Sequence, residues 1–148
     1  MIGFEIADFL KVRIQGYQYP DNNSYWDGNW LISDIELNLS GVFEPLTAPI
    51  VIAVMRPCLR ADELPAFLGE IKALVAKTVC SAELKTLEPY FKLQIAKVDS
   101  AFVVNVKFRE QGEKGSTEMS YPVEPSEVSD LITQLSLVVK SFPVRGRA

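Results

Sequence analysis

Apolar and polar residues alternate along several stretches of this chain. From Phe9 to Tyr17, Leu10, Val12 and Ile14 fall on one side and Lys11, Arg13 and Gln15 on the other, the pattern of a half-buried strand. Alternation returns from Trp30 to Leu39. Leu31, Ile35, Leu37 and Leu39 make the apolar side, while Trp30, Ile32, Asp34, Glu36 and Asn38 make the other. Asp34 and Glu36 therefore share a face with Trp30, read as the solvent face of an antiparallel sheet. Ser40-Gly41 marks a turn, and Val42 to Met55 reads as a third extended region broken by Pro45 and Pro49. Proline cannot donate to a ladder, so Glu44 to Pro49 suits an edge or a bulge. Ile50 to Val54 can be buried on both sides, and Pro57 is expected to end that strand.

The period then changes from two to 3.6. Leu64, Phe67, Leu68, Ile71, Leu74 and Val75 form one apolar stripe, predicting a helix over roughly Ala61 to Lys77. Asp62 and Glu63 in its first turn complement the helix dipole, and Pro65 fits only within that turn. The second half follows the same order. Leu84 to Val98 is extended, with Phe91, Leu93 and Ile95 on one face, and Glu88-Pro89 opens its regular part. Phe102, Val104, Val106 and Phe108 alternate with Val103, Asn105, Lys107 and Arg109 in the cleanest strand of the chain. Glu110 to Ser116 reads as a hairpin loop leading to a strand with Thr117, Met119 and Tyr121 on one face. A final helix is predicted from Pro125 or Ser126 to Ser141, since proline suits the first helical position.

The apolar residues of that last helix, Val128, Leu131, Ile132, Leu135, Val138 and Val139, each lie 64 positions beyond a counterpart in the first. The spacing suggests a duplicated strand–strand–strand–helix unit, with half-repeats 4–79 and 80–142 in a single domain spanning 1–148. The architecture expected is α+β: an antiparallel sheet of about six strands with two amphipathic helices on one face. The uncovered face would carry Trp30, Asp34 and Glu36, with Lys107 and Arg109 as further candidates.

Between the first two strands runs an aromatic loop, Gly16-Tyr17-Gln18-Tyr19-Pro20, Asp21 to Tyr25, then Trp26-Asp27-Gly28-Asn29-Trp30-Leu31. It holds both tryptophans and three of the five tyrosines. Asp27-Gly28 is a tight-turn signal. Two readings stand: an ordered hairpin loop whose aromatics pack, or a surface presenting Trp and Tyr to a partner.

Charge sharpens the second reading. The 42 residues from Ile14 to Met55 contain Asp21, Asp27, Asp34, Glu36 and Glu44 and no base, while the whole chain carries −4. Such a segment attracts a cationic partner, although acids also serve simply to solvate a sheet face. An acidic chain argues against nucleic-acid binding. The tail is locally basic, with Lys140, Arg145 and Arg147 in the last nine residues. With 148 residues, 48% apolar and 23% charged, the chain can bury a core without staples. Its apolar runs are far shorter than the ~20 residues of a membrane helix, and no signal-peptide pattern opens it, so a cytoplasmic protein is expected. Cys58 and Cys80 make neither a disulfide framework nor a metal pattern and are expected to be buried free thiols.

No catalytic motif emerges. Histidine is absent, which removes Ser-His-Asp and Cys-His catalysis and the commonest transition-metal ligand. Gly112 to Gly115 is too short for a phosphate loop, and a calcium loop counted from Asp21 fails at Tyr25 in the fifth position. No metal or cofactor is expected. Asp34 and Glu36, about 7 Å apart along one strand, leave a small hydrolase as a third class.

Five phrases carry a resemblance: residues 16–20; Trp26 to Leu31; Pro57-Cys58-Leu59 with Glu63-Leu64; Leu87-Glu88-Pro89; and Phe142-Pro143-Val144-Arg145-Gly146. In this order and spacing the chain resembles the WapI-like immunity proteins of polymorphic toxin systems. The resemblance implies a cytoplasmic, non-enzymatic antidote that binds the C-terminal domain of a contact-delivered toxin, often a nuclease. It carries no catalytic residues. An acidic aromatic surface that covers a basic active groove is the mechanism expected, with Tyr19, Trp26, Asp27, Trp30, Asp34 and Glu36 as candidate contacts. The alternative is a structural module that self-associates through its open sheet face.

Overall fold

The computed structural model describes residues 2–38, 51–109 and 117–148, and side chains there except those of residues 51–58 and 117. In chain order the elements are β1 (Ile2–Ile6), β2 (Leu10–Tyr17), α1 (Tyr25–Gly28), β3 (Trp30–Asn38), β4 (Val51–Arg60) and α2 (Glu63–Val75). Then come β5 (Ser81–Leu84), β6 (Phe91–Val98), β7 (Ala101–Phe108), β8 (Thr117–Val123) and α3 (Pro125–Ser141). The α+β class and the antiparallel pairing are as expected. The strands, however, form two four-stranded sheets, β1-β2-β3-β4 and β5-β6-β7-β8, instead of one sheet of about six.

The two strands beyond those expected are the first of each sheet. β1 and β5 are five and four residues long, too short for alternation to announce them. The extended segment expected from Leu84 to Val98 begins only at the last residue of β5, and 85–90 leaves the ladder between β5 and β6. β4 also outruns its expected end and continues through Pro57 to Arg60. It can do so because β4 is an edge strand, and its pairing with β3 shifts register between Leu31 and Ser33, opposite that proline. The proposed bulge at Glu44 to Pro49 and the glycine loop at Glu110 to Ser116 lie outside the described residues.

The helices start and stop as their sequences dictate. Pro65 sits in the first turn of α2, and Pro125 opens α3 beneath a capping box formed by Glu124 and Glu127. Of the expected apolar stripes, Leu64, Phe67, Leu68, Ile71 and Leu74 are buried, as are Val128, Leu131, Leu135 and Val138. Val75 is exposed. These side chains share one core with Phe4, Val12, Ile14, Leu31 and Ile35 of the first sheet and Phe91, Leu93, Val104 and Val106 of the second. Cys80 corrects an expectation: it is a free thiol, but exposed, because it lies just outside β5.

The helices cross between halves. α2 follows the first sheet yet packs beside β5 of the second, whereas α3 follows the second sheet and packs beside β1 of the first. Each helix also covers a strand edge. Gln134 of α3 accepts from the Glu5 backbone N–H at 2.7 Å and donates back to its carbonyl at 3.4 Å. Glu70 of α2, 64 positions earlier, accepts from the Glu83 backbone N–H at 2.9 Å. A sheet edge otherwise offers unpaired backbone groups, and here a helix side chain occupies two on β1 and one on β5.

Replacing either Gln134 or Glu70 by alanine is expected to cost about 1 kcal/mol, a fall of about 3 °C in melting temperature. The two costs should add in the double variant, since the sites share no partner. Thermal unfolding followed by circular dichroism checks both.

Candidate functional site

The aromatic loop is built differently from a hairpin turn. Residues Tyr25–Gly28 form one helical turn, with Ser24 as N-cap accepting from the Asp27 backbone N–H at 3.3 Å. Gly28 is buried at the end of that turn, and its role is close approach. A Cβ there would lie 2.3 Å from the Asn22 carbonyl oxygen. The turn lifts Trp26 and Asp27 outward and brings the Tyr25 and Trp26 carbonyls together on the inner side.

Arg60, at the end of β4, fills that inner side and is only 2% exposed. Its guanidinium donates to the Trp26 carbonyl at 2.6 Å, to the Tyr25 carbonyl at 3.0 Å and to Asp62 at 2.9 Å. The rings of Tyr25, Trp26 and Trp30 surround it at 5.5, 5.6 and 5.1 Å from its central carbon. Tyr25 closes the circuit by donating its hydroxyl to Asp62 at 2.8 Å, a bond that raises the phenol's pKa. A buried guanidinium is tolerated only when its donors are satisfied and its charge is matched, and both conditions hold here.

A second arginine ties the C-terminal tail to the same loop. Arg145 lies 3.4 Å over the Tyr17 ring and donates to the carbonyls of Tyr19 and Asn22 at 3.1 and 3.0 Å. Asn29, fully buried, accepts from the Arg145 backbone N–H at 2.8 Å and donates to the carbonyls of Arg145 and Tyr25. Tyr17 donates its hydroxyl to the Pro143 carbonyl. Gly146 has φ +65, and any Cβ would sit 2.7 Å from the Tyr25 backbone nitrogen. The tail thus needs glycine where it presses on the loop.

Glu63, the first residue of α2, extends the hub to the second half of the chain. One carboxylate oxygen accepts from the Arg60 backbone N–H at 3.0 Å, the other from the Leu87 backbone N–H at 2.7 Å. Burial pushes its carboxyl up to about 7, with Asp62 adding to the shift; the two backbone donors and the Arg60 charge oppose it.

The six residues expected to make contacts fall into two groups. Tyr19, Trp26 and Asp27 are exposed at the loop end, with half-buried Trp30 beside them. Trp26 retains 64% of its accessible surface despite its contact with Arg60. Asp34 and Glu36 lie half-buried on the open face of β3, about 13 and 20 Å along the strand from Trp30. They share that face with bases. Glu36 meets Arg13 at 3.7 Å, and Asp34 accepts from Gln15 at 3.1 Å. Arg13 stands directly opposite Asp34 in register yet reaches for Glu36. The other Asp34 oxygen, Oδ1, is shut from solvent without a hydrogen-bond partner. Lys107 and Arg109, expected on the same face, follow the second sheet instead.

Sequence reasoning missed Arg60, Asn29, Glu63 and Arg145 as parts of one site. A signal existed: an aromatic loop without a base of its own is a ready cage for an arginine from elsewhere in the chain. Among the described residues no cluster of His, Cys, Asp and Glu is arranged to hold a metal, and no helix is long and apolar enough to cross a membrane.

Fold and site define an α+β module of two antiparallel sheets whose loops and C-terminal tail are tied together by hydrogen bonds around Arg60, Glu63 and Arg145. The chain belongs to the WapI-like immunity protein family, whose model matches residues 1–143. No curated protein matches it. One solved structure is similar in outline, "Crystal structures of trypanosoma bruciei MRP1/MRP2", at 13% identity and a TM-score of 0.49, covering 95% of this chain and 82% of that one.

Two stability outcomes follow. Arg60→Met should cost about 3–5 kcal/mol in urea unfolding, because it leaves the Trp26 carbonyl and Asp62 Oδ1 without their donor and removes the charge that balances Asp62. Glu63 binds its proton more tightly folded, near 7, than unfolded, near 4.5, so its contribution is complete below about 4.5 and is lost as pH rises through about 7. Wild type measured against Glu63→Gln should therefore lose on the order of 3 kcal/mol between pH 4.5 and 8. A difference independent of pH would show that the two backbone donors keep the carboxylate charged.

Proposed function

We propose that this chain binds the C-terminal domain of a cognate contact-delivered toxin in the cytoplasm and neutralises it by covering a basic working surface, such as a nuclease groove. Family membership supports the immunity role. The observation that carries the choice of surface is Trp26. A tryptophan held by its own carbonyl to a buried arginine is fixed before the partner arrives, yet most of its ring stays in water. Fixed, exposed aromatics are the commonest interface anchors, and pre-ordering them lowers the entropic cost of binding.

Charge supports a cationic partner. Asp21 and Asp27 are exposed at the loop end, where a lysine or arginine of a partner can reach them. The spread from Trp26 to Glu36 fits within one interface, since about 800 Å² on one partner is a disc roughly 30 Å across. Lys11 and Arg13 dilute the acidic character near Asp34 and Glu36, so electrostatic capture is concentrated toward the loop. Asp34 and Glu36 sit on an open strand face, each held by a neighbour on β2, which suits binding better than hydrolysis.

Trp26→Ala should weaken binding to the cognate toxin domain by at least tenfold while moving the melting temperature by only a few degrees. Asp34→Lys with Glu36→Lys should slow association at low salt more than it lowers stability. Surface-based kinetics at two ionic strengths measures both, and unchanged association of the lysine variant would remove the sheet face from the proposed contact.

A further inference from the structure

Leu87 is 63% exposed, almost the same as Trp26, although it belongs to the other half of the chain. The two protrude from loops joined through one continuous set of bonds. The Trp26 carbonyl accepts from the Arg60 guanidinium, the Arg60 backbone N–H donates to Glu63, and the other oxygen of Glu63 accepts from the Leu87 backbone N–H. Each backbone is therefore fixed to the same four-residue segment, 60–63, while its side chain points into water. The bond at Leu87 is made by the backbone alone, so folding has no evident need for leucine at this position.

The surroundings define what this pair would accept. Exposed Asp27 stands next to Trp26, half-buried Glu88 stands next to Leu87, and the partly exposed carboxylate of Asp62 lies on the segment between. The buried Arg60 guanidinium is already consumed by Asp62 and two carbonyls. The patch is two apolar projections whose rim carries Asp27, Asp62 and Glu88, with the nearby base Lys85 already paired to Glu70 at 3.5 Å, the complement of apolar pockets bordered by lysine or arginine.

We infer that Leu87 is a second anchor for the toxin domain, and that it and Trp26 form a two-point contact read by the basic surface of that partner. The inference rests on the immunity reading above and adds a contact from the half of the chain that carries none of the six residues expected from sequence. The bond path through 60–63 keeps the two anchors well inside one interface footprint, roughly 30 Å across.

The test uses the full chain and the purified cognate toxin domain, isolated by capture on the wild-type chain and identified by neutralisation of its activity. Leu87→Ser keeps the backbone N–H bond to Glu63 and is expected to leave the thermal midpoint within a few degrees of wild type. It should weaken toxin binding by tenfold or more, chiefly through faster dissociation, and Leu87→Met should restore most of the loss. Trp26→Ala combined with Leu87→Ser should lose more than either alone. Wild-type binding unaltered by Leu87→Ser overturns the second anchor and leaves the immunity reading standing. Failure of the wild-type chain to bind or neutralise the toxin domain overturns both. A wild-type dimer that Leu87→Ser dissociates, with toxin binding unaffected, assigns the patch to a second copy of this chain and also overturns the inference.

Discussion

A buried arginine sets the terms for this molecule. Taking a guanidinium out of water costs several kcal/mol unless each of its nitrogens finds an acceptor and a counter-charge lies close. Arg60 meets that demand with pieces from three places: the carbonyls of a one-turn helix, the carboxylate of Asp62 and three aromatic rings. Those pieces cannot shift without stranding the charge, so the loop from Tyr19 to Trp30 is held as firmly as a regular element. Arg145 applies the same physics from the C-terminus, and Glu63 applies it to the loop at Leu87. The acidic, aromatic loop does attract cations, and the first two it captures belong to its own chain.

The crossing of the helices explains why the two halves cohere. Either sheet alone would leave its inner face and its first strand open. α3 covers β1 and α2 covers β5, so each half closes the other. The matching use of Gln134 and Glu70, at equivalent helical positions, shows the same device working at both edges. β4 and β8, the opposite edges, carry Pro57 and Pro122, residues that cannot donate to a ladder and so discourage further pairing.

Long periodic elements were legible in the sequence, and local chemistry was not. α3 runs from Pro125 to Ser141 as its spacing predicts, and Leu31, Ile35 and Leu37 point inward as their alternation requires. β1 and β5 were missed because four or five residues cannot establish a period. β4 was cut short at Pro57 because edge position, which makes that proline acceptable, is a tertiary fact. Asp27-Gly28 was misread for a related reason. Glycine is needed there to let Asn22 approach, not to reach positive φ, and sequence does not distinguish those uses. Of the candidate contacts, Tyr19, Trp26 and Asp27 are exposed, whereas Asp34 and Glu36 have close company from β2. The hub stayed invisible because Asn29, Arg60, Glu63 and Arg145 are brought together from up to 116 residues apart.

The five phrases that carry the family resemblance converge on this hub, and their members divide between two duties. Leu59, Asn29 and Leu64 are buried and Glu63 and Arg145 are hydrogen-bonded into the interior. Trp26 and Leu87 sit in the same phrases and turn outward. Keeping a large apolar side chain in water has no folding return, while its neighbours fix its backbone at the cost of burying charge. In the proposed complex, an anchor whose backbone is already held in place spends little of its binding energy on being ordered.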